Sequence, residues 1–487
     1  MSLQVFLQAQ LRGGEHFLTS SVSTRDALAE LMGRCGWLSL ISEILPRALL
    51  AEMKLSRMLL GSSGGEQFLL VLTDESIQAA EEFLTKAASE IKKLSGAALE
   101  LVWASTENLG PWPIVRKRLD DGIGRRLAAP LAGRARLSVF EPCSAAATTT
   151  DAEYFVNFGK CLMAAARVGW SADQPARLHC DGGAHTWALR DQAGTDEDAI
   201  TFPRRYVAKD DQQFASAHEL AGRAEGSHKW GILRGDVDYF DLRLKRSDTI
   251  EEHIHLSVLF KEFFSGELSV LCTLPEFWRK VSIVYKGGDD FAVIGTWDSL
   301  VLLARELQRL FERFSAQNLQ GLAGLEGKSI SMALALASSC HESPMAAFEE
   351  AGQLLQTAKS TELGMFHLFG RTLEWKRLTD AEELKNGLVR LVKDFNVPAE
   401  YVHDLASVYR EAYSAQASRR TKAVRVERPW RRYMRLSRII PASRQRDLNQ
   451  LRSSLITNLI GKKTANAKLR PSGRVGLEWA RLATENQ

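Results

Sequence analysis

Two stretches of this chain repeat one pattern, and that repetition limits the possible fold more than any other feature. GSSGGEQFLLVL contains Gly64-Gly65 and YKGGDDFAVIG contains Gly287-Gly288, each pair lying between two apolar runs and directly before an acidic residue. A Gly-Gly pair permits positive φ and close approach of another group, as a hairpin turn requires. Because a long helical pattern follows each stretch, we interpret the two as equivalent hairpins of a distant internal duplication.

The pattern of strands and helices predicts four parts in the 487 residues. Residues 1–140 are predicted to be a first α/β unit, and residues 229–378 repeat that pattern more strongly. Residues 141–228 read as a small helical or irregular connector with no more than a short hairpin. Residues 379–487 contain helical patterns and no convincing strand. The predicted fold class is therefore α+β, with a helical domain at the C-terminal end.

Three carboxylates are predicted to converge in the second unit. Asp289 and Asp290 lie at the tip of the hairpin, and Asp236 lies where the strand KWGILRGDV ends. If that strand neighbours the hairpin, the three would form a hard-cation site for two Mg²⁺ or Mn²⁺ ions that assist phosphoryl displacement. The alternative for the GGDD motif alone is a solvated turn. Lys359, at the end of a predicted helix, is either a point charge for a triphosphate or an ordinary surface lysine.

The charge of the chain is unevenly distributed. From residue 417 to residue 487 there are 18 Lys and Arg against 4 Asp and Glu, which leaves the rest of the chain acidic. A basic end indicates a polyanionic partner. Arginines interleaved with Trp430 and Tyr433 suit phosphate contact and base stacking on RNA, or else docking of an acidic protein. The residues assigned to this surface are Arg428, Arg431, Arg432, Arg435 and Arg438.

Composition excludes several other classes. No stretch approaches the roughly 20 apolar residues of a membrane span, and the N-terminal stretch does not read as a signal peptide, so the protein is predicted to be cytoplasmic with no membrane partner. The six cysteines are scattered without a C-x-x-C pair, which predicts buried thiols rather than a zinc site.

Taken together, WGILRGDVDYF, YKGGDDFAVIG, the SPMAAFEEAGQLLQTAK helix and LFGRTLEWKRL resemble the second palm domain of the large polymerase-cyclase subunit of type III CRISPR interference complexes, in its Csm-type version. GSSGGEQFLLVL resembles that family's first palm. The resemblance implies two ferredoxin-like palms of nucleotidyl-cyclase type, the first degenerate, and a basic helical domain. It covers nearly the whole chain.

The resemblance also implies a function. Members of the family make cyclic oligoadenylate from ATP when the complex holds guide CRISPR RNA and target RNA together with other effector subunits. By that resemblance, Asp236, Asp289 and Asp290 would act in catalysis and hold two metal ions, and the main-chain carbonyl of Val237 would be a further ligand. Gly287, Gly288 and Lys359 would contact the ATP phosphates. A second ATP would be held by the first-palm residues Ser62, Ser63, Gly64 and Gly65.

The chain departs from the family in two respects that affect function. Many members begin with an HD nuclease domain, whereas here the first palm pattern starts almost at Met1, so HD-type DNase activity is predicted to be absent. His403-Asp404 is interpreted as a chance HD dipeptide. An acidic residue common in the last palm helix is Gly352 here.

Two other functions remain open from the sequence. One is a catalytically silent scaffold that only assembles RNA and partner subunits, against which the intact Asp236, Asp289 and Asp290 argue. The other is a stand-alone cyclase of second messengers related to diguanylate cyclases. Those enzymes use GG[DE]EF on a single palm, whereas here Phe291 follows GGDD and a second palm pattern is present.

Overall fold

The fold is given by a computed structural model, which describes residues 3–20, 26–138, 151–190, 199–202, 209–210, 213–339, 341–407, 434, 438–439, 444–460 and 471–485. It is a mixed α+β structure with several sheets, as the sequence predicts. No helix in these ranges is both long and apolar enough to cross a lipid bilayer.

The first palm unit is built around a four-stranded antiparallel sheet with the strand order β2-β3-β1-β4. This order and the two long helices between the strands give the βαββαβ arrangement of ferredoxin-like folds. Strand β1 and helix α4 were not predicted. In the predicted hairpin around Gly64-Gly65, the first strand begins only at Leu60, because Arg57–Leu59 form a 3₁₀ turn. The elements are β1 (Gln4–Arg12), α1 (Gly14–Thr19), α2 (Ala27–Glu52), β2 (Leu60–Gly64), β3 (Gln67–Thr73), α3 (Asp74–Leu94), β4 (Glu100–Glu107) and α4 (Trp112–Ser138).

The described part of the connector contains more secondary structure than the sequence predicts. Where an irregular segment with one short hairpin was expected, a second small sheet has the order β6-β5-β7-β8. Its strands are two to six residues long, too short to give a clear alternating pattern in the sequence. The elements are α5 (Ala152–Leu162), β5 (Arg167–Trp170), β6 (His179–Cys180), β7 (His185–Arg190), β8 (Ile200–Thr201), β9 (Lys209–Asp210), β10 (Gln213–Phe214) and α6 (Ala217–Gly222).

The second palm unit contains a six-stranded sheet of order β12-β13-β11-β14-β15-β16. Its first four strands in chain order repeat the arrangement of the first sheet, as the predicted internal duplication requires. The elements are β11 (Trp230–Val237), α7 (Phe240–Lys245), α8 (Ile250–Leu271), β12 (Val281–Lys286), β13 (Asp290–Thr296), α9 (Trp297–Asn318), β14 (Ile330–Leu336), α10 (Pro344–Lys359), β15 (Met365–Leu368) and β16 (Arg371–Glu374).

The described C-terminal residues are helical. They form α11 (Trp375–Lys393), a helical segment at 400–407, α12 (Arg446–Ile460) and α13 (Pro471–Thr484), of which α13 was not predicted. Val475 and Trp479 of α13 are buried in the core of the second palm. The C-terminal helices therefore contact the second palm through α13 as well as through α11, the helix that follows β16.

The two palms share one hydrophobic core. On the second sheet, Leu233 and Val293 face α8 and α9, whereas Ile232 and Ile294 face the opposite way and join the core that contains α2 of the first palm. Because side chains alternate along a strand, every second residue of β11 and β13 points toward the first palm. Arg234, Asp236 and Asp290 have that parity, which places the predicted site between the palms.

Candidate active site between the palms

The two Gly-Gly turns meet tip to tip. Gly65 has a φ of +60°, and a Cβ on it would lie 3.0 Å from the backbone nitrogen of Gly288. A Cβ on Gly65 would crowd the Gly288 backbone, so glycine at position 65 permits the close approach. The two halves of the predicted nucleotide site, one from each palm, are thereby adjacent.

Asp236 and Asp290 are direct partners across the strand pair β11–β13. Opposed residues on one face of an antiparallel pair have neighbouring side chains. The Val237 N–H donates to the Asp289 carbonyl over 3.0 Å, and the Gly287 N–H donates to the Asp290 carbonyl over 2.8 Å, which fixes the hairpin tip beside the end of β11. Position 287 requires glycine, because a Cβ there would overlap the Asp290 carboxylate.

The electrostatics of these carboxylates are unfavourable without a cation. All three are half-buried. Burial and the neighbouring Asp236 and Glu66 raise the pKa of Asp290 to about 8, although Arg234 opposes the shift. Burial and Asp290 also raise the pKa of Asp289 well above its usual range. Like charges held in a partly desolvated cleft are typical of sites that bind metal ions or move protons.

Lys359 lies within the candidate site rather than on the free surface. Its Nζ donates to Oδ1 of Asp236 over 2.5 Å, from the last turn of α10. Burial raises the pKa of Asp236, and the Lys359 ammonium opposes that rise. In this arrangement the lysine neutralises one carboxylate at the end of β11.

The fit of the site to metal ions is partial. Carboxylate oxygens are the ligands that Mg²⁺ and Mn²⁺ prefer, and burial and neighbouring carboxylates raise the pKa values of Asp289 and Asp290 more than Lys359 and Arg234 lower them. However, no three His, Cys, Asp or Glu side chains converge at metal-ligand spacing in the ranges described above. Asp236 is held by Lys359 instead, so the donor set suits a divalent ion but is not preassembled around one.

The nearby Asp238 has a different role from Asp236. Its carboxylate is fully buried and accepts hydrogen bonds from Ser329 Oγ, Ser331 Oγ and the Gly364 N–H at 2.6, 2.7 and 2.8 Å. It therefore fixes the loops beyond the strand ends and does not take part in the carboxylate pair.

The first-palm turn is already engaged in protein contacts. Ser63 Oγ donates to Glu43 over 2.7 Å, and the Ser63 carbonyl accepts from Lys261 Nζ over 3.0 Å. Lys261 also pairs with Glu43. Burial would raise the pKa of Glu43, but Lys261 and Arg47 together hold it at about 2. Of the residues assigned to a second nucleotide, Ser62, Gly64 and Gly65 line the same turn, whereas the Ser63 hydroxyl serves this ion-pair network.

Sequence reasoning missed the contacts that join the palms at the site. Arg234 donates to both carboxylate oxygens of Glu15 at 2.7 and 2.9 Å. Lys286 donates to Ser265 Oγ and the Thr201 carbonyl inside the molecule. The parity of Arg234 with Asp236 on one strand was the available signal. Nothing in the sequence indicated Glu15 as its partner.

Four of the five arginines assigned to RNA lie outside the described residues: Arg428, Arg431, Arg432 and Arg435. Arg438 is described and exposed. The assignment of this segment to RNA stays a prediction.

The fold and the site together define a protein with two nucleotidyl-cyclase-type palms, of which the second carries the carboxylates. Residues 229–363 match the family model described as Cas10/Cmr2, second palm domain. The sequence resemblance is confirmed: these residues match that family's second palm domain, and part of the chain is similar in sequence to Cas10/Csm1 proteins.

Two curated relatives share the description "CRISPR system single-strand-specific deoxyribonuclease Cas10/Csm1 (subtype III-A)". The protein of Enterococcus italicus is 32% identical over 108 residues, covering 21% of this chain and 14% of that protein. The protein of Methanocaldococcus jannaschii is 31% identical over 135 residues, covering 25% and 17%. The matched segment is thus a small part of each relative.

Solved structures of similar fold cover more of the chain. A Csm1–Csm4 cassette in complex with cA3 has a TM-score of 0.70 at 17% identity, over 99% of this chain and 70% of that chain. The Csm1–Csm4 subcomplex of a type III-A interference complex has a TM-score of 0.62 at 18% identity, over 78% and 58%. At these identities the likeness establishes the fold.

Proposed function

We propose that this chain converts ATP into cyclic oligoadenylate at the site between the palms, as a subunit of a type III CRISPR effector complex. The observation that carries the proposal is the Asp236–Asp290 pair of a Cas10/Cmr2 second palm, lying beside Asp289 and facing the Gly-Gly turn of the first palm. One palm supplies acidic groups and the other supplies a close backbone turn, so two nucleotides can be held against each other.

The chain's own residues have distinct tasks in this reaction. Asp236, Asp289 and Asp290 would hold two Mg²⁺ or Mn²⁺ ions with the Val237 carbonyl, and such ions polarise the phosphoryl oxygens and activate the attacking hydroxyl. Gly287 and Gly288 let the backbone approach the phosphates. Lys359 exchanges its contact with Asp236 for a phosphate contact once Asp236 has another partner.

The choice of ATP as the substrate rests on relatives of similar fold. The solved Csm1–Csm4 cassettes include complexes with cA3, cA4, AMPPNP and ATP. Csm4 is the partner subunit in those structures, and we propose an equivalent partner here, with guide CRISPR RNA and target RNA in the cytoplasm. The basic segment from residue 417 onward supports an RNA contact.

We also propose that HD-type cleavage of single-stranded DNA does not accompany this activity. His403-Asp404 lies in the helical segment at 400–407, and no other histidine lies near it in the sequence. Incubation with labelled single-stranded DNA and Mn²⁺ tests this point. Robust cutting that His403→Ala removes would refute it.

Mass spectrometry of the products of ATP, with and without guide and target RNA, tests the main proposal. We expect cyclic adenylates that require a divalent ion and that increase with target RNA. A parallel assay with GTP tests the alternative of a stand-alone cyclase related to diguanylate cyclases, which would use GTP. Absence of any product from the assembled complex would support the silent scaffold.

A further inference from the structure

One contact between the palms at the site is an ion pair of a largely buried arginine with a half-exposed glutamate, which no sequence pattern indicated. Arg234 lies on β11 two residues before Asp236, and only 13% of its side chain is exposed. Both Nη atoms donate to the Glu15 carboxylate, at 2.7 and 2.9 Å. A bidentate arginine–carboxylate pair fixes both distance and orientation, because two parallel hydrogen bonds must be satisfied together.

The two partners come from different palms. Glu15 is in the first turn of α1, immediately after β1, and Arg234 is in the middle of the second sheet. The guanidinium also lies over the Phe348 ring, 4.3 Å from its centroid, and Nη1 is 3.4 Å from the Phe348 carbonyl. Arg234 is thus held by α10 on one side and pulls α1 onto the second palm from the other.

The space for this pair depends on Gly352. A Cβ added to Gly352 on α10 would lie 2.5 Å from Arg234 Nη1 and 2.8 Å from Glu15 Oε1. Any side chain at this position would therefore displace the Arg234 guanidinium or the Glu15 carboxylate from their present contact. The glycine is in the interior of a helix, where it costs stability relative to alanine, so the space it leaves is the structural reason for it here.

The Arg234–Glu15 pair lies beside the carboxylates of the candidate site, where small movements of the palms would change the distance between the two turns. Arg234 shares its sheet face with Asp236 and Asp290, and its charge opposes the electrostatic strain on Asp290. A shift of α1 relative to β11 would move the first-palm turn away from Gly288. Reactions between two bound groups are sensitive to such shifts, since a misplacement of about 1 Å can cost roughly a hundredfold in rate.

We propose that Arg234 and Glu15 are positioning residues that lock the first palm onto the strand carrying Asp236, and that Gly352 makes room for this lock. The proposal rests on the proposed ATP reaction for its kinetic consequence, but the lock itself is a property of the fold. In Glu15→Gln, the loss of the charged pair should loosen α1 while the hairpin of the second palm remains intact.

The first experiment is hydrogen exchange of the full chain, read by mass spectrometry on peptides that cover α1 and β11. We expect Glu15→Gln and Gly352→Leu each to speed exchange of α1 by about tenfold or more. Glu75→Gln, which changes an exposed acid at the start of α3, is the matched control and should leave α1 exchange unchanged. Unchanged α1 protection in Glu15→Gln would overturn the lock, whether or not the chain makes any product.

The second experiment separates positioning from simple charge balance. In the assembled complex, Glu15→Gln should lower kcat for the first adenylate linkage by about tenfold, with little change in the affinity of the complex for AMPPNP. Glu15→Asp, which keeps the charge, should recover part of the rate. Adding Gly352→Glu to Glu15→Gln returns a carboxylate to Arg234 from the same palm and should not restore kcat.

The outcomes are distinguishable. Full rescue by Gly352→Glu would mean that Arg234 needs only a counter-charge, and the positioning role would be wrong. An absence of product from the wild-type complex would refute the proposed function, while the exchange data would still decide whether the lock exists.

Discussion

Gln10 and Gln67 lie opposite each other at the last paired position of β1 and β3, with Nε2 of Gln10 3.5 Å from Oε1 of Gln67. Asp236 and Asp290 hold the same position in the strand pair β11–β13. Both pairs close a run of seven partners, so the two palms have the same backbone frame at this point. The first palm carries amides where the second carries carboxylates, and amides cannot supply the charge that a pair of divalent ions needs.

The first prediction concerns the carboxylates of the second palm. Asp289→Ala combined with Asp290→Ala should lower product formation by at least about a hundredfold, because the charge that would hold the metal ions is lost. Folding should be intact, since removing like charges from a partly buried cleft relieves repulsion. Product is measured from labelled ATP, and folding by circular dichroism.

A matched control for that double variant exists on the surface, at the start of α3. Asp74→Ala with Glu75→Ala also removes two adjacent carboxylates, both exposed, and it should keep normal activity. Near-normal product from the Asp289/Asp290 variant would show that the site is wrongly assigned.

The second prediction concerns Lys359. Lys359→Met should weaken AMPPNP binding by about tenfold in calorimetry, because it removes a charge that can meet the triphosphate. Lys359→Arg keeps the charge and should bind more tightly than Lys359→Met. Equal affinity in wild type and Lys359→Met would restrict the role of this lysine to its contact with Asp236 in the nucleotide-free chain.

The third prediction concerns the contact between the two turns. Gly65→Ala should lower stability by about 1 kcal/mol through its positive φ and should also reduce activity by separating the turns. Gly266→Ala in α8 is the control, because a Cβ there meets nothing within 4 Å, and it should slightly stabilise the chain. Chemical denaturation and product assays of both variants provide the comparison. Normal activity in Gly65→Ala would argue that the turns need not touch.

The fourth prediction concerns His253, which lies between the palms on α8 and contacts the Trp112 ring at 5.2 Å. Burial and the nearby Arg116 lower its pKa to about 4. An unfolded histidine titrates near 6.5, so the unfolded chain binds the extra proton first as the pH falls. Its contribution to stability is therefore present above pH 6.5 and is lost between pH 6.5 and 4.

The measurement for His253 is the melting temperature at pH 7.5 and at pH 5. His253→Phe should show a smaller drop than wild type, by about 2 °C for a difference of about 1–2 kcal/mol. His255→Gln, which changes an exposed histidine on the same helix, should keep the wild-type drop. Identical drops in wild type and His253→Phe would contradict the prediction.

The fifth prediction concerns the basic segment. Replacing Arg431, Arg435 and Arg438 with alanine should weaken RNA binding by the effector complex and reduce the slope of log affinity against log salt by about one unit per lost phosphate contact. AMPPNP affinity should change little, because these residues are not part of the palm site. An unchanged slope would assign the segment to docking of an acidic protein instead.

How much of this could be predicted from the sequence depends on whether a feature is local. The Gly-Gly turns, Asp236 at the end of a strand and Pro344 at the start of a helix are local signals, and the corresponding elements lie where predicted. The connector strands are too short to produce a periodic pattern, and the single alternating run of β1 was overlooked.

The parts that could not be predicted depend on contacts distant in sequence. Glu15 and Arg234 are 219 residues apart, and no pattern in either segment indicates the other. The inward position of Lys286 likewise follows from the packing of Thr201 and Ser265 around a strand end. Such pairings are set by how the palms dock and not by the properties of either segment.

The shared core has an evolutionary consequence. A duplicated domain that has lost its own reactive groups is ordinarily free to shrink or disappear. Here Ile232, Ala292 and Ile294 are covered by the same core as α2 of the first palm, and they would face water if that palm were deleted. The site residues of the first palm can thus change during evolution. The domain itself cannot be lost without exposing the apolar face of the second palm.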